Sequence, residues 1–364
     1  MIAGTLQRYL AMRFLGAVLA VFASIFVLVA MIDYVELMRR TAELPNVSAL
    51  LVAQTSLFRV PQITERIMPF AVLIGAMICY LSLSRRLELV VARAAGMSAW
   101  QFIFPALVVA LVIGLLATVA YNPLSAALDE RAKRLETQIF GEKGTGSQYT
   151  TSGTFWLSQR TDDGHSILNA TTSLQQGAVL GGITVLRFDE SGRFRERIEA
   201  TRAVLEPGHW RLYDARVYVA GAAPRGPQQY LLETSLTSEQ VRESFATPET
   251  VPFWKLPEYI ERAERTGWAA AAYQLQYHKL LARPFLLAAM VFLAAAVSLR
   301  FFRIGGVRNM VLGGLLAGFL LYVISKVVDD MSKADLIHPM AAAWMPVLIG
   351  GLTGFVALLY QEDG

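Results

Sequence analysis

The chain has little reactive chemistry to offer. Among 364 residues there is one cysteine, Cys79, so no intramolecular disulfide can form, and its place inside an apolar run reads as a small buried hydrophobe. Four histidines, His165, His209, His278 and His338, are scattered without metal-ligand spacing, so no metal site is expected. No G-x-S-x-G, H-E-x-x-H or paired-cysteine motif occurs, which removes the common hydrolase and zinc readings. The glycine-rich stretch GEKGTGSQ at 141–148 holds a lysine but does not match the phosphate-loop pattern, and no helix pattern follows it. It reads as a linker. Nothing here binds ATP by a recognisable motif, so any pumping calls for a partner. Charge is scarce too: 17% of residues are charged, against 54% hydrophobic, with a formal net charge of +4. With a mean hydropathy of +0.43, that balance excludes a soluble domain as the whole molecule.

What the sequence has instead is apolar length. Six runs approach the roughly 20 residues that cross a bilayer: Phe14–Ile32, 67–83, 101–121, 281–299, 309–328 and 342–360. The first follows Arg8 and Arg13 but is longer than a signal-peptide core and has no small-x-small cleavage site after it, so it reads as a retained span. Pro69, Pro105, Pro284 and Pro346 are expected near span ends or in first turns, where proline disrupts least. Arg8 and Arg13, then Arg85, Arg86 and Arg93, then Arg300, Arg303 and Arg308 mark connections on one side; their excess assigns that side to the cytoplasm. The connection at 329–341 sets Asp329, Asp330 and Asp335 against Lys333, as expected outside. Both termini are then cytoplasmic, and the long segment between spans three and four projects outward.

That segment changes character. GITVLRFDESGRFRERIEA reads as two strands around Asp189–Gly192, and RAVLEPGHWRLYDARVYVAG repeats the pattern around Pro207-Gly208. Strand signals spaced about 8–12 residues apart point to an antiparallel sandwich or open barrel. Before it, SAALDERAKRLETQIFGEKGTG reads as a helical extension of span three; after it, WKLPEYIERAERTGWAAAAYQLQYHKLLARP reads as helices returning to the membrane. The expected fold is therefore α-helical membrane protein plus an inserted all-β domain: spans one to three over 1–136, the β domain over 137–250, and a linker helix with spans four to six over 251–364.

Three groups of residues invite a functional reading. In SRRLELVVARAAGMSAW, a helical period places Leu87, Val90, Val91 and Ala94 on one arc, suited to the embedded helices or the lipid interface. Arg85, Arg86, Glu88 and Arg93 occupy the other arc with Leu89 among them, as an interface anchor sits in a polar rim. Gly96 is a stop signal and Ser98 a cap for the next span. A solvated interfacial helix is the plainer alternative. On the outer side, Asp33, Glu36, Arg39, Arg40, Arg59, Glu65, Arg66, Lys326, Asp329, Asp330 and Lys333 cluster near span ends. Internal ion pairing is one reading; a ring of cations for phosphorylated headgroups is the other. Gly314 with Gly318, and Gly350 with Gly354, form small-residue pairs that let helices approach closely.

Taken together, LQRYLAMRFL, RRLELVVARAAGMS, YHKLLARP, SLRFFRIGG, LYVISKVVDDMSKADLIHP and LLYQEDG resemble the lipopolysaccharide export permease family (LptF/LptG, also YjgP/YjgQ), most like its LptG branch in alphaproteobacteria. The resemblance covers nearly the whole chain and is weakest in the middle domain. It implies a permease subunit of an ABC transporter in the inner membrane of Gram-negative bacteria. The subunit would pair with a second, LptF-like permease and a dimeric LptB-like ATPase, which would bind the ATP and Mg; this chain would hold no cofactor and catalyse nothing. Lipopolysaccharide would be extracted from the outer leaflet and passed by a periplasmic β-jellyroll to LptC/LptA-like bridge proteins for outer-membrane assembly; nucleic acid is not an expected partner. By the same resemblance, 84–98 corresponds to the coupling helix, with Leu87, Glu88, Leu89, Arg93 and Gly96 serving ATPase coupling; Leu87 stands where the family often has serine. Arg39, Arg40, Arg59, Arg66 and Lys326 would contact lipid phosphates, although the family's usual lysine arrangement is not reproduced, and Gly314 and Gly318 would pack a lateral gate. A membrane-anchored scaffold whose β domain binds other envelope proteins, without moving lipid, is the competing function.

Overall fold

The computed structural model describes residues 2–42, 47–94, 96–144, 155–161, 164–174, 178–189, 192–219, 221, 223–234, 248–266, 270–304, 306–334 and 336–362. Residues 145–148 of the glycine-rich stretch read as a linker at 141–148, Ala95 and Asp335 lie outside them, as do the side chains of Leu89, Arg93, Arg300 and Arg303; residues 141–144 belong to a helix. The chain divides into two compact units, one made of Met1–Arg40, Ser48–Ala132 and Pro248–Gly364, the other of Thr41–Val47 and Lys133–Thr247.

The first unit is helical. Its elements are α1 (Ile2–Thr41), α2 (Ala49–Arg85), the short α3 (Glu88–Ala94) and α4 (Ala99–Leu116). A π-helical turn (Ala117–Tyr121) then leads into α5 (Asn122–Gly144), whose first residues still belong to this unit. After the second unit come α6 (Leu256–Thr266), α7 (Ala270–Ile304), α8 (Gly306–Lys333) and α9 (Pro339–Glu362). Six helices among the described residues are long and apolar enough to cross a membrane, and each contains one of the six apolar runs. In-register backbone bonding is the only way such runs satisfy their amides in lipid.

Packing is uneven. Val72, Leu73, Ala76 and Tyr80 of α2 meet Ile103, Ala106 and Ala110 of α4 and Leu287, Met290 and Val291 of α7 in one dense core. The most apolar window of α2 is 61% buried, whereas that of α1 is 6% buried. The first span thus leans on the bundle rather than belonging to its interior. It enters through Leu10, Phe14 and Val18, and Gly75 of α2 makes the crossing possible: a Cβ there would stand 2.7 Å from the Val18 Cα.

The helices run further than the apolar stretches, which corrects the expectation for the prolines. Pro69, Pro105, Pro284 and Pro346 fall inside α2, α4, α7 and α9, past the first turn, and Pro61 is a further one in α2. A proline at position 284 removes the amide that would bond the Leu280 carbonyl one turn earlier. Thr118, in the π-helical turn, supplies the missing donor: its hydroxyl bonds that carbonyl at 2.9 Å, buried. Gly114, one turn before, lets α4 lie directly on Pro284. Thr118→Val keeps the shape and removes the donor. It is expected to cost about 1–3 kcal/mol for the stranded carbonyl, read as a lower melting temperature of the detergent-solubilised protein. Thr118→Ser should restore most of it.

The second unit is an antiparallel sheet with strand order β1-β2-β3-β4-β5-β6. The strands are β1 (Phe155–Thr161), β2 (Gly164–Leu174), β3 (Val179–Phe188), β4 (Phe194–Glu206), β5 (His209–Val219) and β6 (Arg225–Glu233). Both turns foreseen in the sequence are there. Asp189 and Gly192 reverse β3 into β4, with the Gly192 amide on the Asp189 carbonyl at 3.0 Å; Pro207-Gly208 reverses β4 into β5 with Gly208 at φ 82°. Register aligns one apolar row across four strands, Leu168 with Val185, Val185 with Ile198 and Ile198 with Val217, all buried. Fully buried Trp210 adds the largest side chain of that face. The meander rolls on itself. Arg187 of β3 donates to the Tyr230 hydroxyl of β6 at 2.7 Å, Tyr230 donates to Glu196 of β4 at 2.9 Å, and burial raises the Tyr230 phenol above its ordinary range. Gln159 of β1 closes the far edge by donating to the Glu233 carbonyl at 2.9 Å. Of the sandwich and the open barrel, the rolled single sheet is the second.

Candidate functional site

The connection between α2 and α4 is built by three local devices. Leu87 takes φ 60°, a left-handed conformation that costs a non-glycine residue about 1–2 kcal/mol. That kink ends α2 and starts α3 at once, with Leu87 bonding the Ser84 carbonyl at 3.0 Å. At the other end Gly96, at φ 82°, lets the Met97 amide reach back to the Ala92 carbonyl at 3.1 Å, the six-to-one bond that terminates a helix. Ser98 then caps α4, its hydroxyl accepting from the Gln101 amide at 3.3 Å. Gly96 and Ser98 do what their residue types suggest. Leu87 does not, and it resets the faces of the helix. With the helix beginning at Glu88, Leu87 and Val91 stand exposed at 58% and 67%, which of the two expected surfaces leaves the lipid interface rather than the embedded helices. Leu87→Gly is expected to be tolerated, whereas Leu87→Val, stiff at a positive φ, should loosen the 84–98 segment; amide exchange across those residues reads the difference.

Glu88, placed by its period on the outward arc, turns to α1 instead. Its carboxylate accepts from the Tyr9 hydroxyl at 3.1 Å, and Tyr9 in turn accepts from the Arg13 Nε at 3.0 Å. The Arg13 guanidinium lies 5.3 Å from the Tyr9 ring centroid, donates to Ser82 at 3.4 Å, and approaches the Glu88 carboxylate at 3.8 Å. Tyr9, Met12, Arg13, Gly16, Ile78 and Ser82 line an open groove of about 460 Å³ beside this chain of contacts. Leu89 and Arg93 share the α3 backbone with Glu88.

The outer cations are mostly paired within the chain. Arg39 and Arg40 both bond Glu36 at 2.9 Å, Arg59 of α2 faces Asp33 of α1 at 3.7 Å, and Lys326 bonds Asp330 at 3.1 Å. Arg66 is exposed. The five are spread over α1, α2 and α8, so a headgroup phosphate would have to draw four of them from carboxylates. Of the two readings, internal pairing describes what is present. Gly314 and Gly318 seat α8 on α2, the first against Met77 and the second against Leu73 and Phe70. Gly350 and Gly354 do the same for α9, against Leu321 and the Phe292–Leu293 backbone.

Sequence reasoning missed the most buried polar cluster. Glu65 of α2, 5% exposed, accepts from Arg283 of α7 at 2.5 Å, from Asn122 of α5 at 2.8 Å, and from the Ser125 hydroxyl. Asn122 in turn accepts from the Phe253 amide at 2.9 Å. Three helices and a loop are pinned by one carboxylate. Glu65 had been visible only as one charge near a span end; its partner lies 218 positions away, and no local pattern announces the pair.

Among the described residues, six bilayer-length helices with a rolled β unit between the third and fourth, and a capped, carboxylate-bearing short helix between the second and third, define a multi-pass membrane protein with an inserted sheet. The sequence model of the family described as "Lipopolysaccharide export system permease LptF/LptG" matches residues 8–360, and the chain belongs to that family. It is 23% identical over 359 residues to the lipopolysaccharide export system permease protein LptG of Escherichia coli strain K12, covering 94% of each chain. It is 24% identical over 362 residues to the protein of the same name from Haemophilus influenzae strain Rd, covering 95% of each.

Proposed function

We propose that this chain is the LptG-type permease subunit of an ATP-driven transporter in the inner membrane, which lifts lipopolysaccharide from the outer leaflet toward a periplasmic bridge. The observation that carries the reading is the match to the permease family along nearly the whole length, 8–360, by a chain with six spans and an inserted sheet. The relatives named for lipopolysaccharide export agree with it.

The mechanism follows from solvation. Each acyl CH₂ taken from lipid into water costs about 0.8 kcal/mol, so a lipid with several chains will not leave unaided. A cavity between this chain and a second, LptF-like permease would offer apolar walls. Exposed rows on α1 (Val27, Leu28, Met31, Val35) and on α8 (Leu312, Leu316, Leu320, Val327) are available to line it or to meet the partner. Arginine-rich connections favour a topology with α3 and both termini in the cytoplasm and the sheet in the periplasm. A dimeric LptB-like ATPase, holding the ATP and Mg, would dock at α3 and close the cavity, passing the lipid to LptC/LptA-like bridge proteins. Arg39, Arg40, Arg59, Arg66 and Lys326 would be the cations for lipid phosphate, four of them, all but Arg66, exchanging a carboxylate for it. Gly314 and Gly318 provide the close seam along which α8 shifts.

Purification of the tagged full chain with its native partners tests this. A co-purified nucleotide-hydrolysing subunit whose rate responds to lipopolysaccharide is the expected result. Envelope proteins bound through the β unit, with no hydrolysing subunit and no lipid dependence, would mean a scaffold.

A further inference from the structure

The contact between α3 and α1 has a mechanical consequence. We propose that Tyr9 and Arg13 are positioning residues that tie the short helix to the first span, so that movement of α3 levers the far end of α1. This rests on the reading that α3 receives the ATPase.

The geometry supports a link that transmits force and can also let go. The Tyr9 hydroxyl uses its donor on Glu88 and a lone pair on Arg13, so neither group is left over. Arg13 is shared among Tyr9, Ser82 and Glu88, which touches α1, α2 and α3 at one point. Its side chain is 27% exposed and that of Glu88 33%, so the ion pair itself is worth no more than about 1 kcal/mol. A docking cation could compete for Glu88, and the adjoining groove leaves Arg13 room to follow.

The first span is suited to be the lever. It is one helix of 40 residues with no proline, about 60 Å long at 1.5 Å per residue. It crosses α2 tightly at Val18 on Gly75. From that crossing, Arg13 lies about 8 Å along the axis in one direction and Arg39 about 32 Å in the other. A small shift at the short arm becomes roughly a fourfold larger one at the long arm if the helix turns as a rod. Beyond the crossing, two polar contacts between α1 and α2 are long, 3.4 Å from Ser56 to the Ala30 carbonyl and 3.7 Å between Asp33 and Arg59, and the swing would have to carry the buried Leu37 with it.

The test uses the complete complex in proteoliposomes, with spin labels at Val35 on α1 and Val327 on α8, both exposed, in a Cys79→Ser background. In the parent complex, addition of ATP with vanadate should shift the Val35–Val327 distance. Tyr9→Phe and Arg13→Gln should each leave the ATPase subunit bound, abolish most of that shift, and lower lipopolysaccharide release about five- to tenfold. Arg13→Lys should recover part of it. A full distance shift in both Tyr9→Phe and Arg13→Gln would overturn the lever while leaving the transport reading intact. A parent complex without any hydrolysing subunit would overturn both.

Discussion

Glu65→Leu is expected to unfold the helical unit at temperatures the parent survives, with a loss of about 3–5 kcal/mol. Removing the carboxylate strands the Arg283 guanidinium, whose side chain is 14% exposed, together with the Asn122 side-chain amide, while the Ser125 hydroxyl falls back on the Asn122 backbone carbonyl at 2.9 Å. Neither stranded group can recover its partner from lipid. The pair replaced as a whole, Glu65→Leu with Arg283→Met, should regain most of the stability, because apolar side chains of similar volume remove the cost of burying charge. Thermal melting of the purified protein by intrinsic fluorescence decides it. A single variant that melts with the parent, or a double variant no better than the single one, would show that the cluster is not the pin described above.

Glu88→Ala should act elsewhere. Folding does not depend on this carboxylate, which is a third exposed and bonded to one hydroxyl and a distant guanidinium. Its loss removes the acceptor that joins α3 to α1 and, in the proposed complex, the anion presented to the ATPase. Hydrogen bonds to a charged group are worth about 1.5–3 kcal/mol, so lipid release should fall by about ten- to a hundredfold with the ATPase still hydrolysing. Leu89→Asp should uncouple in the same direction. Parallel measurement of phosphate production and lipid transfer separates the two activities; equal transfer by both variants and the parent would remove α3 from the mechanism.

Much of this fold is legible in the sequence because its cues are local. Six apolar runs, the turn residues at Asp189–Gly192 and Pro207-Gly208, Gly96 as a stop and Ser98 as a cap each act on their own neighbourhood, and each is found in its role. The cues fail where a distant partner outbids a local rule. Pro284 looks like a span-end residue until Thr118, 162 positions from the Leu280 carbonyl it caps, makes an interior proline affordable. Glu88 belongs by period to the outward face, but the left-handed turn at Leu87 holds the short helix off until Glu88 itself and Tyr9 claims the carboxylate. For the outer cations the sequence leaves internal pairing and a phosphate site both open, and only coordinates show Glu36, Asp33 and Asp330 on four of the five.

Cys79 sits in α2 at 4% exposure, and the chain has no other thiol. One quiet replacement therefore gives a blank background onto which reporter pairs can be written anywhere along the spans or the sheet. It lets the proposed movement of the first span be watched directly, in a native lipid mixture, residue by residue.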